Sequence, residues 1–165
     1  MTVLIIYGTN SGGTLSAAEE VQRVFVRAGH QATLRSAGVA KPDELGSADL
    51  VVLASCTWEK FTPEGKRLDG QLQEQFDAFV SAVGDRTFPG QSFAVMGFGD
   101  VSYTKYCAAA DLLEQFVARI SGTKVGETLR LGGYTFDVLE NRGRVIAWTE
   151  RLMEQLKANV GRSLA

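Results

Sequence analysis

The chain has 165 residues, of which 45% are hydrophobic and 22% are charged, and these proportions are typical of a globular protein. This length predicts a single domain that spans the whole chain, 1–165. The formal net charge is −2 and the sequence contains no basic cluster, which argues against nucleic acid as a partner.

The apolar runs are too short to cross a membrane, so we expect no membrane partner. A strand is predicted from Thr2 onward, which leaves no room for a signal peptide and predicts a cytoplasmic protein. The two cysteines, Cys56 and Cys107, are too few for a disulfide framework or a metal cluster. We therefore expect no metal site.

The pattern of apolar residues predicts strands that alternate with helices along the whole chain. Runs rich in β-branched residues predict five strands, at residues 2–7, 31–35, 49–54, 92–96 and 123–131. Apolar residues at helical spacing predict five helices, at residues 14–28, 41–45, 68–83, 103–120 and 142–159. A long loop is predicted at residues 55–67. This alternation indicates an α/β fold, a doubly wound parallel sheet with helices on both faces.

The first strand is joined to the first helix by a glycine-rich turn, Tyr7-Gly8-Thr9-Asn10-Ser11-Gly12-Gly13-Thr14. Glycine lets the backbone bend sharply and lets a ligand approach it closely. The helix that follows offers unpaired N–H groups and the positive end of its dipole, a combination that favours an anion such as phosphate. The turn contains no lysine or arginine and fits neither the Walker pattern nor Gly-x-Gly-x-x-Gly. Its three hydroxyls suit one terminal monophosphate, and an ordinary tight turn is the alternative.

Two further loops are expected to meet this turn, because ligands of doubly wound sheets lie beyond the carboxyl ends of the strands. The loop after the third strand brings Trp58, and the loop after the fourth strand brings Asp100 and Tyr103. Two aromatic side chains can hold a planar ring between them by offset stacking, although either one alone is equally typical of a core. A flat ring joined to a single phosphate describes flavin mononucleotide (FMN).

The three loops together resemble those of flavodoxins, and the chain looks closest to the short-chain type of that family from Val3 to Leu156. The family's phosphate motif, Ser/Thr-x-Thr/Ser-Gly-x-Thr, is matched by the run from Thr9 to Thr14. The resemblance implies the strand order 2-1-3-4-5 and a non-covalently bound FMN. It implies that the FMN phosphate is held by Thr9, Asn10, Ser11, Gly12, Gly13 and Thr14.

The same resemblance assigns the flavin ring and ribityl chain to the other two loops. Trp58 is expected on the inner face of the ring and Tyr103 on the outer face. The full set of contacts that it implies there is Cys56, Thr57, Trp58, Glu59, Phe98, Gly99, Asp100, Tyr103 and Cys107.

The sequence departs from the family pattern at charged positions near the expected flavin. Glu59 stands where many short-chain flavodoxins have a glycine, and a left-handed backbone costs a residue with a Cβ about 1–2 kcal/mol. We therefore expect the one-electron-reduced flavin to be less stabilised than in a relative with glycine there. Lys60 and Lys105 lie in the flavin loops, and nearby cations favour the anionic, fully reduced flavin unless both side chains are simply solvated.

The resemblance implies a low-potential electron carrier that shuttles single electrons between redox enzymes, with no catalytic residue of its own. The expected donor is a flavodoxin reductase or another oxidoreductase, and the expected acceptor is a reductive enzyme or a cytochrome P450. A monomer is the simplest expectation. One alternative is an FMN-dependent NAD(P)H:quinone-type reductase of the same fold, and another is a protein that has kept the fold and lost the flavin.

Overall fold

The structure is a computed structural model that describes residues 1–99, 105–132 and 138–163, with the side chains of the last helix described as far as residue 158. Within these residues the chain forms seven strands: β1 (Thr2–Gly8), β2 (Gln31–Ser36), β3 (Leu50–Phe61), β4 (Arg67–Leu72), β5 (Ser92–Gly99), β6 (Thr123–Lys124) and β7 (Leu129–Gly132). The same residues form one short 3-10 helix (Pro42–Gly46) and four α-helices: α1 (Gly13–Arg27), α2 (Glu74–Val83), α3 (Ala108–Arg119) and α4 (Val138–Ser163). No helix in the described part of the chain is long and apolar enough to span a membrane.

The main sheet is parallel and runs in the order β2-β1-β3-β5-β6, with β7 beside β5 beyond the end of β6. This confirms the predicted α/β class and the order 2-1-3-4-5, with the fifth position shared by two short strands. The single strand predicted at residues 123–131 is therefore wrong. The chain turns away from β5 at Gly126, where φ is 72°, and the Glu127 carbonyl accepts a hydrogen bond from the Trp148 indole at 2.7 Å instead of pairing in the sheet.

Helices cover both faces of the sheet, and the central strand β3 shows this most clearly. Leu50 and Val52 belong to the same apolar cluster as Phe25 of α1. Val51 points to the opposite face and belongs to the cluster of Phe76 in α2. All five side chains are fully buried. Strand β3 is thus apolar on both faces, as the interior of a parallel sheet requires.

The long loop predicted at residues 55–67 is wrong, and the helix predicted at residues 68–83 is confirmed only from residue 74 onward. Strand β3 continues to Phe61, and β4 returns antiparallel to its second half, so the two form a hairpin that extends beyond the main sheet. The hairpin turn is closed by a hydrogen bond from the Thr62 N–H to the Lys66 carbonyl at 2.9 Å, with Gly65 at φ 80°. Helix α2 begins only at Glu74.

Two helix boundaries also differ from the prediction. In the described residues α3 begins at Ala108 rather than 103, because residues 105–107 form a turn in which Cys107 has a left-handed φ of 51°. Helix α4 begins at Val138, earlier than the predicted 142. The end of the first helix agrees with the prediction, because Gly29 takes a φ of 83° directly after Ala28, the C-cap residue of α1.

Strand β5 continues past the predicted end at residue 96 to Gly99, and at Gly97 it lies against α3 with no room for a side chain. A Cβ on Gly97 would lie 2.4 Å from the Ala110 Cβ and 2.7 Å from the Ala110 backbone nitrogen. Any side chain at residue 97 would therefore force α3 away from the sheet.

We predict that Gly97→Ala lowers the free energy of unfolding by about 1–3 kcal/mol. The added methyl group would meet the backbone of Ala110 in α3, which cannot move aside as a flexible side chain could. The matched control is Gly143→Ala in α4, where a Cβ meets nothing within 4 Å. The control is expected to raise the free energy of unfolding by up to about 1 kcal/mol through helix propensity. Urea denaturation measures both, and equal effects would contradict the packing argument.

Candidate functional site

The glycine-rich turn lies at the carboxyl end of β1, at the point where the strand order reverses. Strand β1 pairs in parallel with β2 on one side and with β3 on the other. The chain leaves β1 for β2 and then crosses to the far side for β3. The carboxyl ends of β1 and β3 therefore bound the crevice in which open α/β sheets bind their ligands.

The turn presents backbone N–H groups at the start of α1. The residue before the helix, Gly12, has φ 89°, and its own N–H donates to the Thr9 hydroxyl at 3.0 Å. The first bond of the helical ladder runs from the Ser16 N–H to the Gly12 carbonyl at 3.0 Å. The three N–H groups of residues 13–15 thus have no partner inside the helix. Because α1 also has no side-chain cap, these groups are available to an acceptor from outside.

The side chains of the turn divide into two kinds. Asn10 and Ser11 are exposed, whereas Thr14 is buried and its hydroxyl hydrogen-bonds the Cys56 thiol of β3. Burial raises the pKa of the Cys56 thiol, although hydrogen bonds from the Asn10 backbone and from Thr14 act in the opposite direction. The thiol is therefore protonated at neutral pH and adds no charge beside the turn. The turn itself contains neutral hydrogen-bonding groups and no formal charge.

The second predicted loop is part of strand β3 and its hairpin with β4. Trp58 lies opposite Gln71 and is 46% exposed, beside a cleft of about 370 Å³ between the hairpin and the start of α2. Thr57 points toward α3, and its hydroxyl accepts a hydrogen bond from the Ala109 N–H at 3.1 Å. Since Cys107, at the N-cap position of α3, makes no side-chain cap, Thr57 caps that helix from another element.

Four charged residues of the hairpin strands form ion pairs with one another or with α2: Glu59, Lys60, Arg67 and Asp69. Glu59 lies at an irregularity of the hairpin and forms an ion pair with Arg67 at 2.7 Å. The Lys60 amine donates to Asp77 at 2.7 Å, and this hydrogen bond raises the pKa of Lys60. Among the described residues other than glycine, only two have positive φ, and Glu59 is not one of them. Glu59 therefore does not adopt the left-handed backbone considered above.

The third predicted loop is described only in part, because Asp100 and Tyr103 lie outside the described residues. Phe98 is buried at the end of β5. A Cβ on Gly99 would lie 2.5 Å from the Cys107 backbone nitrogen, so the two segments are in contact. Burial raises the pKa of the Cys107 thiol, whose Sγ lies 3.5 Å from the Leu131 carbonyl. The described ends of β1, β3 and β5 thus lie side by side in the sheet.

The sequence interpretation missed Gln73, which lies beneath the glycine-rich turn. Its side-chain nitrogen donates to the Asn10 Oδ1 at 3.3 Å, and its side-chain oxygen caps α2. No sequence signal identified this residue, because glutamine is not among the preferred N-cap residues and the predicted helix at 68–83 ran straight through it.

Comparison with known proteins gives one consistent family. The chain matches the family model described as Flavodoxin over residues 5–143. Among curated relatives, the flavodoxin of Nitratidesulfovibrio vulgaris (strain Miyazaki F) is 32% identical over 156 residues, which cover 93% of this chain and 98% of the relative. The flavodoxin of Maridesulfovibrio salexigens is 25% identical over 154 residues, which cover 93% of this chain and 97% of the relative.

Among solved structures, the oxidised form of flavodoxin 1 from Bacillus cereus superposes with a TM-score of 0.79 at 21% sequence identity. The alignment covers 93% of this chain and 98% of that protein. At this level of identity the match establishes the fold, and it agrees with the strand order described above.

We predict that Thr57→Val lowers the free energy of unfolding by about 1 kcal/mol, because the first turn of α3 loses its cap while the β-branched shape is kept. The matched control is Thr33→Val on the edge strand β2, where the side chain is exposed. The control is expected to change stability by less than about 0.5 kcal/mol. Urea denaturation compares the two variants, and equal losses would show that the Thr57 hydroxyl does not act as a cap.

Proposed function

Because the chain belongs to the flavodoxin family, we propose that it is a low-potential electron carrier that uses non-covalently bound FMN. In this role it moves single electrons between redox enzymes. The observation that supports the proposal best is the uncapped start of α1 at the switch point of the sheet. That position favours a phosphate group held by neutral donors.

The described residues of the glycine-rich turn fit a phosphate group. A Cβ on Gly12 would meet nothing within 4 Å, so a ligand can approach the backbone there. Ser11 adds an exposed hydroxyl to the unpaired N–H groups of the first helical turn. Thr9 and Thr14 also hydrogen-bond within the protein, so we assign to them the additional role of holding the turn in shape. We assign phosphate binding to the whole run from Thr9 to Thr14.

When bound, FMN would supply the redox chemistry through its ring, and the protein would bind the cofactor and leave a ring edge accessible. Trp58 presents a half-exposed aromatic surface on the hairpin, which suits one face of a planar ring. Gly99, at the carboxyl end of β5, lies against Cys107, and we assign both to the polar edge of the ring from the resemblance. We assign Asp100 and Tyr103 to the same site from the resemblance alone.

We further propose that the protein works as a cytoplasmic monomer that meets its donor and its acceptor in turn. The expected donor is a flavodoxin reductase or another oxidoreductase, and the expected acceptor is a reductive enzyme or a cytochrome P450. A carrier of this kind needs no acid, base or nucleophile for a substrate. The charges of the hairpin support this role, because Glu59 and Lys60 each already have an ion-pair partner.

The flavin site is tested by the variant Gly12→Ala. Alanine disfavours the φ of 89° by about 1–2 kcal/mol, so we expect the turn to relax and FMN affinity to fall about tenfold. The matched control is Gly90→Ala, which has φ 80° and equally open surroundings but precedes β5 at the opposite edge of the sheet. Flavin fluorescence titration of the cofactor-free proteins should show unchanged FMN affinity for the control. Unchanged affinity in Gly12→Ala would remove the turn from the site.

Electron transfer is tested by anaerobic, stepwise reduction of the FMN-loaded protein. The visible spectrum of the flavin is recorded after each step. A carrier is expected to take up electrons in two separate one-electron steps. It is also expected to oxidise NAD(P)H only when a separate reductase is added. Reduction in one two-electron step, with steady oxidation of NAD(P)H by the protein alone, would instead favour the quinone-type reductase. A protein that binds no flavin would contradict both functions.

A further inference from the structure

Gln73 is a buried amide at the junction of the hairpin, helix α2 and the glycine-rich turn. It is 4% exposed and follows directly after β4. A buried amide must satisfy its polar groups within the protein, so its partners indicate its role. The hydrogen bonds of Gln73 reach α2, strand β3 and the glycine-rich turn.

The oxygen and the backbone of Gln73 fix it to α2 and β3. The side-chain oxygen accepts hydrogen bonds from the N–H groups of Gln75 at 2.9 Å and Phe76 at 3.2 Å, which caps α2. The backbone N–H donates to the hydroxyl of Ser55 at 3.1 Å, and Ser55 is fully buried on the central strand β3. The position of the amide is therefore set by the rigid part of the fold.

The side-chain nitrogen of Gln73 extends from this fixed position into the glycine-rich turn. It donates to the Oδ1 of Asn10 at 3.3 Å. Gly8 makes this approach possible, because a Cβ at residue 8 would lie 2.7 Å from the Gln73 side-chain oxygen and 3.0 Å from the Phe76 Cβ. The exposed Asn10 side chain is thus tied to a buried group.

We propose that Gln73 is a positioning residue for the phosphate end of the cofactor. It holds Asn10, and with it the turn whose N–H groups are unpaired, in one arrangement before the ligand arrives. The cost of ordering the turn then does not oppose binding. This inference rests on the proposed FMN function. Because Gln73 acts through the turn and not through the ring loops, it should favour FMN over riboflavin, the same flavin without the phosphate.

The test is the variant Gln73→Asn, which shortens the side chain by one methylene. Asparagine is a preferred N-cap residue, so α2 keeps its cap while the amide no longer reaches Asn10. We expect the Kd for FMN to rise about tenfold, the equivalent of one lost hydrogen bond, and the Kd for riboflavin to change by less than about twofold. Flavin fluorescence titration of the cofactor-free protein measures both constants. Gln73→Ser, which also keeps a capping oxygen, is the second variant should asparagine prevent folding.

Two further variants separate positioning from general stability. Gln91→Asn shortens a glutamine whose amide donates to the carbonyls of Ala48 at 2.9 Å and Ser92 at 3.2 Å, at the opposite edge of the sheet. It should leave the ratio of the FMN and riboflavin constants unchanged. Asn10→Ala should raise the Kd for FMN at least as much as Gln73→Asn does, because Asn10 also belongs to the run assigned to the phosphate. The double variant should bind FMN no more weakly than Asn10→Ala alone, because Asn10→Ala already removes the interaction that Gln73→Asn removes.

The outcomes distinguish this inference from the function on which it rests. If the unaltered protein prefers FMN but Gln73→Asn and Gln73→Ser weaken FMN and riboflavin equally, Gln73 is only structural and the inference is overturned. Additive losses in the double variant would overturn it as well. If the unaltered protein binds no FMN, the proposed function fails and the inference fails with it.

Discussion

The first turn of every α-helix has N–H groups that the helix itself cannot pair and that need acceptors from elsewhere. The candidate site depends on where three helices find these acceptors. Helix α2 is capped by Gln73, and α3 is capped by Thr57, so both are satisfied by the protein. Helix α1 follows a glycine and has no side-chain cap. All three helices begin at the same edge of the sheet, and of these three α1 alone starts without a side-chain cap.

The central strand β3 supports both capping arrangements. Ser55 binds the backbone of the residue that caps α2, and Thr57 caps α3 directly, two residues further along the strand. Between them, Cys56 points to the other face and hydrogen-bonds Thr14 of the turn. Three consecutive residues of one strand thus contact three different helices. Strand β3 continues past residue 54, where its purely apolar run ends, because it pairs with β5 as far as Cys56 and with β4 from Thr57 to Phe61.

The fold and the glycine-rich turn could be predicted because their signals are local. Buried parallel strands are continuous apolar runs, and a glycine cluster between a strand and a helix indicates a ligand turn. The hairpin could not be predicted, because β4 is stabilised by pairing with β3 and its own residues, Arg67–Leu72, include a glycine and three polar side chains. Gln73 could not be predicted for a related reason, since its role depends on Asn10, which is distant in sequence.

The two tryptophans of the chain occupy opposite environments, and this gives the protein two built-in optical probes. Trp148 is 3% exposed and donates its indole N–H to a carbonyl, whereas Trp58 is 46% exposed on the hairpin. An indole in a dry core emits at shorter wavelength than one in contact with water. The short-wavelength part of the intrinsic fluorescence therefore comes from Trp148 and reports on the core. The long-wavelength part comes from Trp58 and reports on the crevice. Events in the crevice are thus distinguishable from loss of the fold without an added label.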